Sequence, residues 1–286
     1  GRKSAVADKY TFAPQGAWAW SWKDRIDRAF MDRLNTPASP SRWPRAPRVA
    51  TSSKSQDPLC GGCGAKVGGD VLAEALARLE IVPRADVITG AGDDAAVLHS
   101  GGAEQVITTD HLRGFWDDAY VMTRIAAVHA LSDVLAMGAA PQAMLAQITL
   151  PRMTDALQGA TLDECLRAAN AVATEAGAAL VGGHTSMGAE TSIGFTVTGL
   201  LDQPALTLVG AQAGDLVVLS RKIGSGTLLA GEMRGVANGD DIAACLARMA
   251  TLDLEGAARL ARHATAMTDV TGFGLLGHAA RLADAS

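Results

Sequence analysis

Behind Asp70, apolar side chains recur at helical spacing through Val71, Leu72, Ala75, Leu76 and Leu79, which predicts a helix opened by an Asp cap. Beyond it, short β-like runs alternate with longer helical ones. Residues 95–98, 105–109, 143–150, 179–181 and 192–200 read as strands, and 118–137 and 162–176 as helices interleaved with them. That order predicts a mixed α/β (α+β) sandwich unit. A second unit opens with a strand at 214–220, carrying Leu216, Val217, Val218 and Leu219, followed by helical patterns at 226–233, 241–263 and 273–283. One strand and three helices lack a sheet for the helices to cover, so this unit is expected to be incomplete in the chain.

The first fifty residues follow another pattern. Trp18, Trp20 and Trp22 alternate ahead of Ile26, Phe30 and Leu34, which recur at helical spacing among Lys and Arg. A short basic helix of this kind packs on a partner domain or lies on a membrane surface, and docking on a neighbouring domain is the favoured expectation. Residues 35–57 turn to Pro, Ser, Arg and Thr, a composition that buries too little apolar area to fold alone, and read as a linker. Residues 1–50 hold ten Lys/Arg against four Asp/Glu, a net +6, which leaves −11 for residues 51–286. Two different bodies are therefore joined, and the acidic larger one argues against a nucleic-acid partner.

Composition narrows the class. The 286 residues are 48% hydrophobic and only 4% aromatic, enough for two domains with a sizeable core. Cys60, Cys63, Cys165 and Cys245 make no disulfide framework at this length, which points to a reducing, cytoplasmic setting. No transmembrane segment is expected, and no charged segment followed by an apolar one opens the chain. The first residue is Gly1 rather than methionine, so a longer parent protein is expected.

Carboxylates stand where strands begin and end. Asp93 and Asp94 precede one strand, Asp110 closes another, and Asp133 falls one helical turn after His129 at the border of an apolar face made by Ile125, Val128, Ser132 and Leu135. Asp269 precedes the Gly-rich turn Gly272-Phe273-Gly274 at a helix start, where free backbone N–H groups suit anions. Four segments thus each offer a hard oxygen ligand, the arrangement that a magnesium-bound triphosphate requires. Taken singly, each has a plainer reading: Asp70 as a helix cap, Asp93 as a turn residue, Asp133 as a surface charge paired with Arg124, and Gly182-Gly183-His184-Thr185 as a chain reversal.

The chemistry sharpens at Cys60-Gly61-Gly62-Cys63-Gly64-Ala65-Lys66. The glycines permit unusual backbone angles, and the Lys66 ammonium three residues from Cys63 favours a thiolate and can meet phosphoryl oxygens. Half of a zinc site and a redox Cys-x-x-Cys pair are the competing readings.

Together these motifs resemble the selenophosphate synthetase family, also called selenide, water dikinase, of the aminoimidazole ribonucleotide synthetase-like superfamily. The resemblance runs from about Cys60 to the chain end. It is carried by Cys-Gly-Ala-Lys at 63–66, Asp-Asp-Ala-Ala-Val at 93–97, Thr-Thr-Asp at 108–110, the stretch 124–138, Gly-Gly-His at 182–184 and, most specifically, Met-Thr-Asp-Val-Thr-Gly-Phe-Gly-Leu-Leu-Gly-His at 267–278. It implies a two-domain fold of that superfamily with residues 1–50 as the tail of an upstream domain plus linker, 51–69 as a mobile catalytic loop, 70–210 as an ATP- and metal-binding domain, and 211–286 as the start of a truncated second domain. It further implies Cys63 and Lys66 as catalytic residues and Asp94, Asp110, Asp133 and Asp269 as Mg²⁺ ligands. Lys66, Asp94, Thr109, Asp110, Asp133, Gly182, Gly183 and His184 would lie at the nucleotide. The implied reaction turns selenide, ATP and water into selenophosphate, AMP and orthophosphate, in a homodimer.

This chain departs from the family in three places. Ala65 stands where some members carry a second reactive residue, and His129 stands where relatives have Asn; Cys60 lies outside the usual spacing. Residues 10–34 more weakly resemble the C-terminal tail of a flavin-dependent NADH dehydrogenase-like oxidoreductase, implying a fused or neighbouring flavoprotein. The rival readings are a sibling ATP-dependent enzyme of the superfamily, against which the Cys-Lys loop argues, and a non-catalytic Cys-x-x-Cys metal or redox module.

Overall fold

Burial alternates along the central strands as the sequence pattern requires. In β8 (Ser192–Leu201), Ile193, Phe195 and Val197 point into the core while Thr196, Thr198 and Leu200 line the opposite side. The computed structural model describes residues 5–6, 15–18, 21–22, 24–26, 28–29, 69–78, 84–90 and 92–285. They belong to two compact units, Gly1–Gln56 and Asp57–Ser286. In the first, β1 (Ala5–Val6) pairs antiparallel with β2 (Gln15–Gly16), and the described residues between 17 and 29 are helical. Trp18, Trp22 and Ile26 are exposed at four-residue steps along that helix. Trp20, Phe30, Leu34 and the linker 35–57 lie outside the described residues.

The first described element of the second unit is α1 (Gly69–Ala77), so Asp70 sits within its first turn rather than ahead of it as a cap. A six-stranded sheet follows in the order β3-β4-β5-β8-β6-β7. Its strands are β3 (Val87–Thr89), β4 (Ala96–Ser100), β5 (Ala103–Arg113), β6 (Ala140–Pro151), β7 (Ala179–Gly188) and β8. All pairings are antiparallel except β6 with β7, which are joined by the crossover helix α3 (Asp155–Glu175). β5 leads through α2 (Ala119–Ala136) to β6, with β8 lying between the two strands. Every strand expected from the pattern in this unit's first part is present with longer bounds, and β3 is an addition that its three residues did not announce.

Helix α2 is the centre of the core. Asp118 caps it by accepting the Val121 N–H at 2.8 Å, and its residues are buried on nearly every side. By length and composition α2 could cross a membrane, but it packs against the sheet on one side and against α3, α5 (Gly239–Met249) and α6 (Leu254–Ala261) on others, as a core helix does. The absence of a side chain at Gly199 allows this close approach, since a Cβ there would lie 2.4 Å from Val134 Cγ1. Arg124 does not reach Asp133. Its guanidinium instead makes paired bonds to Glu175 and donates to the Ala250 carbonyl, tying α2 to the end of α3 and the end of α5.

Two predicted features are corrected. The apolar run at 214–220 forms no strand: Leu216 is 90% exposed, and none of the described strands pairs with it, so its β-pattern has no ladder to join. The continuous helix expected over 241–263 is broken into α5 and α6. Asp253 caps the new start through the Gly256 N–H at 3.0 Å, and Arg221 bridges the break by donating to the Asp253 carboxylate and the Thr251 carbonyl. The remaining C-terminal helices, α4 (Ser225–Met233) and α7 (Gly274–Asp284), fall where the pattern puts them.

The expected reversal at Gly182-Gly183-His184-Thr185 is also absent, because β7 continues through it to Gly188. Leu180 pairs with Met144 and Gly182 with Leu145, leaving Val181 as the extra residue of a bulge. Gly183 follows at φ +159°, and a Cβ there would lie 2.0 Å from the Ala146 carbonyl oxygen. Gly183→Ala is therefore expected to destabilise the fold by about 1–3 kcal/mol through forced displacement of β7, read as a lowered midpoint in thermal unfolding. A variant that melts with the parent would show that β7 does not pair with β6 in this register.

Candidate functional site

Acidic residues converge on the helix-covered side of the sheet because strand alternation and one helical turn aim them there. Thr108 and Asp110 share a face of β5, and the Thr108 hydroxyl donates to Asp133 Oδ2 on α2 at 2.7 Å. Asp133 is only 9% exposed. Burial is the main cause that raises its carboxyl well above the ordinary range; the nearby Asp110 and Asp94 charges push the same way, against the Thr108 bond and the His129 ring.

Asp93 is structural. Its Oδ1 accepts the Asp94 N–H at 3.0 Å and its Oδ2 the Leu208 N–H at 3.1 Å, fixing the turn before β4 to the segment that leads into the C-terminal helices. That frees Asp94 to face inward. Asp94 Oδ1 accepts the Thr268 hydroxyl at 3.0 Å, while its Oδ2 is buried with no hydrogen-bond partner among the described residues. Burial raises its carboxyl to about 6, moderated by the Thr268 hydroxyl, the Asp269 backbone N–H and the Arg281 charge, with Asp93 adding to the rise. Arg281, on α7, also donates to the Gly92 carbonyl of the same turn.

Asp110 is held at both oxygens: Oδ1 accepts the His111 N–H at 2.9 Å, and Oδ2 lies 2.7 Å from His129 Nε2. The Nε2 hydrogen direction falls outside hydrogen-bond geometry, so this short approach is an electrostatic contact. On the Asp269 side, the turn is braced by His278. This buried ring, 2% exposed, accepts the Thr271 N–H at 3.1 Å.

The structure therefore gathers Asp94, Asp110 and Asp133 within electrostatic reach and sets the Asp269 backbone against Asp94. The other expected residues stand elsewhere. Thr109 lies on the side of β5 opposite α2, accepting a bond from Thr196 at 3.1 Å. Gly182, Gly183 and His184 lie on the edge strand β7, with β8 and β6 between them and β5. Cys60, Cys63 and Lys66 lie outside the described residues. Thr108, Thr268 and His278 lie inside motifs quoted from the sequence that assign them no role, and Arg281 lies outside every motif. Strand alternation about Asp110 could have found Thr108; nothing local marks Arg281.

Among the described residues, no three His, Cys, Asp or Glu side chains form a single ligand cage. Mg²⁺ does not require one, because it keeps several waters and takes one or two carboxylates together with phosphate oxygens. The buried, unpartnered Asp94 Oδ2 and the mutual repulsion of the acids fit such a cation.

The burial of Asp94 has a measurable sign. Asp94 binds its proton more tightly folded than unfolded, so folded stability falls as pH rises from 3.8 to about 6. Above that window Asp94 costs on the order of 3 kcal/mol in the metal-free chain. Asp94→Asn is expected to raise the melting temperature by several degrees at pH 8 in EDTA and to change it little near pH 4, by scanning calorimetry. A melting temperature that falls at pH 8 contradicts this electrostatics.

Comparison with known proteins agrees with the fold. A family profile described as AIR synthase related protein, N-terminal domain, matches residues 92–201, and its C-terminal counterpart matches residues 212–286. The chain is 35% identical over 246 residues to a selenide, water dikinase of Burkholderia orbicola, covering 84% of this chain and 68% of that relative. It is 37% identical over 226 residues to one of Myxococcus xanthus, covering 77% and 63%. Among solved structures, it is similar to thiamine-monophosphate kinase from Stenotrophomonas maltophilia at TM-score 0.52 and 25% identity, covering 75% of this chain and 70% of that one. It also resembles the structure titled AaThiL complexed with AMPPCP and TMP, at TM-score 0.59 and 20% identity, covering 76% and 68%. These matches give no support to a fused flavin-dependent domain. With its AIR synthase-like fold and this level of identity over most of its length, the chain is an enzyme of the selenide, water dikinase family.

Proposed function

We propose that this chain phosphorylates selenide with ATP, forming selenophosphate for selenocysteine or selenouridine synthesis and releasing AMP and orthophosphate. The observation that carries the proposal is the convergence of Asp94, Asp110 and Asp133 from three separate elements, beside Asp269, at a cost that only a cation would offset. Asp94, Asp110, Asp133 and Asp269 would hold Mg²⁺, which when bound neutralises charge on the triphosphate.

Every other part of the reading falls to the chain's own groups. Lys66 meets the transferring phosphoryl group as a compact cation, and Cys63 handles selenide on the Gly-rich loop, which closes to exclude water from the first phosphoryl transfer. Thr109, Gly182, Gly183 and His184 contribute to nucleotide binding. The proposed division places the loop at 51–69, the ATP- and metal-binding domain at 70–210 and the start of a second domain at 211–286, with 1–50 as a tail and linker.

A homodimer is proposed through the face of the sheet opposite α2. Half-exposed Leu145 and Leu200 lie there among a ladder of polar bonds linking Gln105, Gln142, Thr109, Thr196 and Thr198. Buried, unpaired Cys165 and Cys245 support a reducing, cytoplasmic setting.

Anaerobic phosphorus NMR of ATP, Mg²⁺ and selenide with the full chain tests the reaction. Selenophosphate, AMP and orthophosphate are expected with the parent and are expected to vanish with Cys63→Ala and Lys66→Ala. ATP left intact by the parent contradicts the proposal, and turnover that ignores selenide transfers it to a sibling activity of the superfamily.

A further inference from the structure

His129 has no part in the reaction proposed above, yet it reaches the acids at close range. It lies on α2 one turn before Asp133, and its side chain and that of Asp110 are both 13% exposed. Asp133 is bonded by Thr108, so the ring's neighbour is Asp110, whose Oδ2 it approaches to 2.7 Å. The other oxygen, Oδ1, already accepts the His111 N–H. One end of the carboxylate is thus held by its own strand and the other by a rigid helix.

We propose that His129 is a positioning residue that fixes the Asp110 carboxylate in its ligating orientation before a divalent cation arrives. The inference rests on reading Asp110 as a metal ligand. A carboxylate that is already oriented loses little rotamer freedom when it binds, and partners behind metal ligands are typically worth 10–100-fold in affinity. The role calls for a polar nitrogen close to Asp110 Oδ2, carried by a side chain long enough to reach β5 from α2.

Mn²⁺ titration followed by electron paramagnetic resonance tests this on the full chain without turnover. His129→Ala is expected to weaken Mn²⁺ binding by about 10–100-fold. His129→Leu, which keeps most of the volume and removes the ring nitrogens, is expected to match it, while His129→Gln, which places an amide nitrogen near the Nε2 position, recovers most of the affinity. In an Asp110→Asn background, His129→Leu is expected to add no further loss. Parent affinity in His129→Leu overturns the proposal, as does equal loss in both backgrounds or no recovery with glutamine. A parent chain that binds no Mn²⁺ overturns the metal reading itself and this inference with it. That outcome is separable from the others because it appears before any substitution is made.

Discussion

Everything at the site follows from burying carboxylates beside one another under an apolar helix. Asp133 is carried into the core by α2, which is buried because the sheet, α3 and the C-terminal helices all pack on it. Asp94 comes to the same region from the turn before β4, and Asp110 from within β5, which runs on to Arg113 instead of closing at Asp110 as the pattern suggested. Desolvation and like charge both oppose this arrangement, and the hydroxyls of Thr108 and Thr268 relieve only part of it. A fold that maintained such a cluster with nothing to bind would lose stability without return.

The site is also composite along the chain. The two segments matched by the two family profiles meet at it: Thr268 bonds to Asp94 and Arg281 reaches the carbonyl of Gly92, while Leu208, between the two segments, bonds to Asp93. Arg124 adds a separate tie from α2 to the end of α5, some distance along the helix from Asp133. The geometry of Asp94 thus depends on residues more than a hundred positions away. Loosening α7 disturbs the site as directly as changing the turn before β4 does.

The sequence is most legible where the local pattern and the tertiary environment agree. The alternation in β8 and the length of α2 follow from side-chain periodicity, and the acids at strand termini stand out by their place in that pattern. Where a partner decides the outcome, the pattern misleads. The run from Leu216 to Leu219 has strand character but no strand beside it among the described residues. Gly182 and Gly183 carry a turn signature but serve as part of a bulged strand, because β6 continues alongside. Hydroxyl donors such as Thr268 look the same as any surface threonine until the fold brings Asp94 to them. The Cys63–Lys66 loop is the clearest chemical signal in the sequence, and it stands as a motif rather than a described geometry.

If these carboxylates form a cation-dependent nucleotide site, Mg²⁺ and nucleotide must each strengthen the binding of the other. Thermal unfolding of the full chain with Mg²⁺ alone, with a non-hydrolysable ATP analogue alone and with both measures that coupling. The pair is expected to raise the melting temperature by more than the two separate shifts combined. Shifts that merely add, or no shift at all, would rule out a shared site.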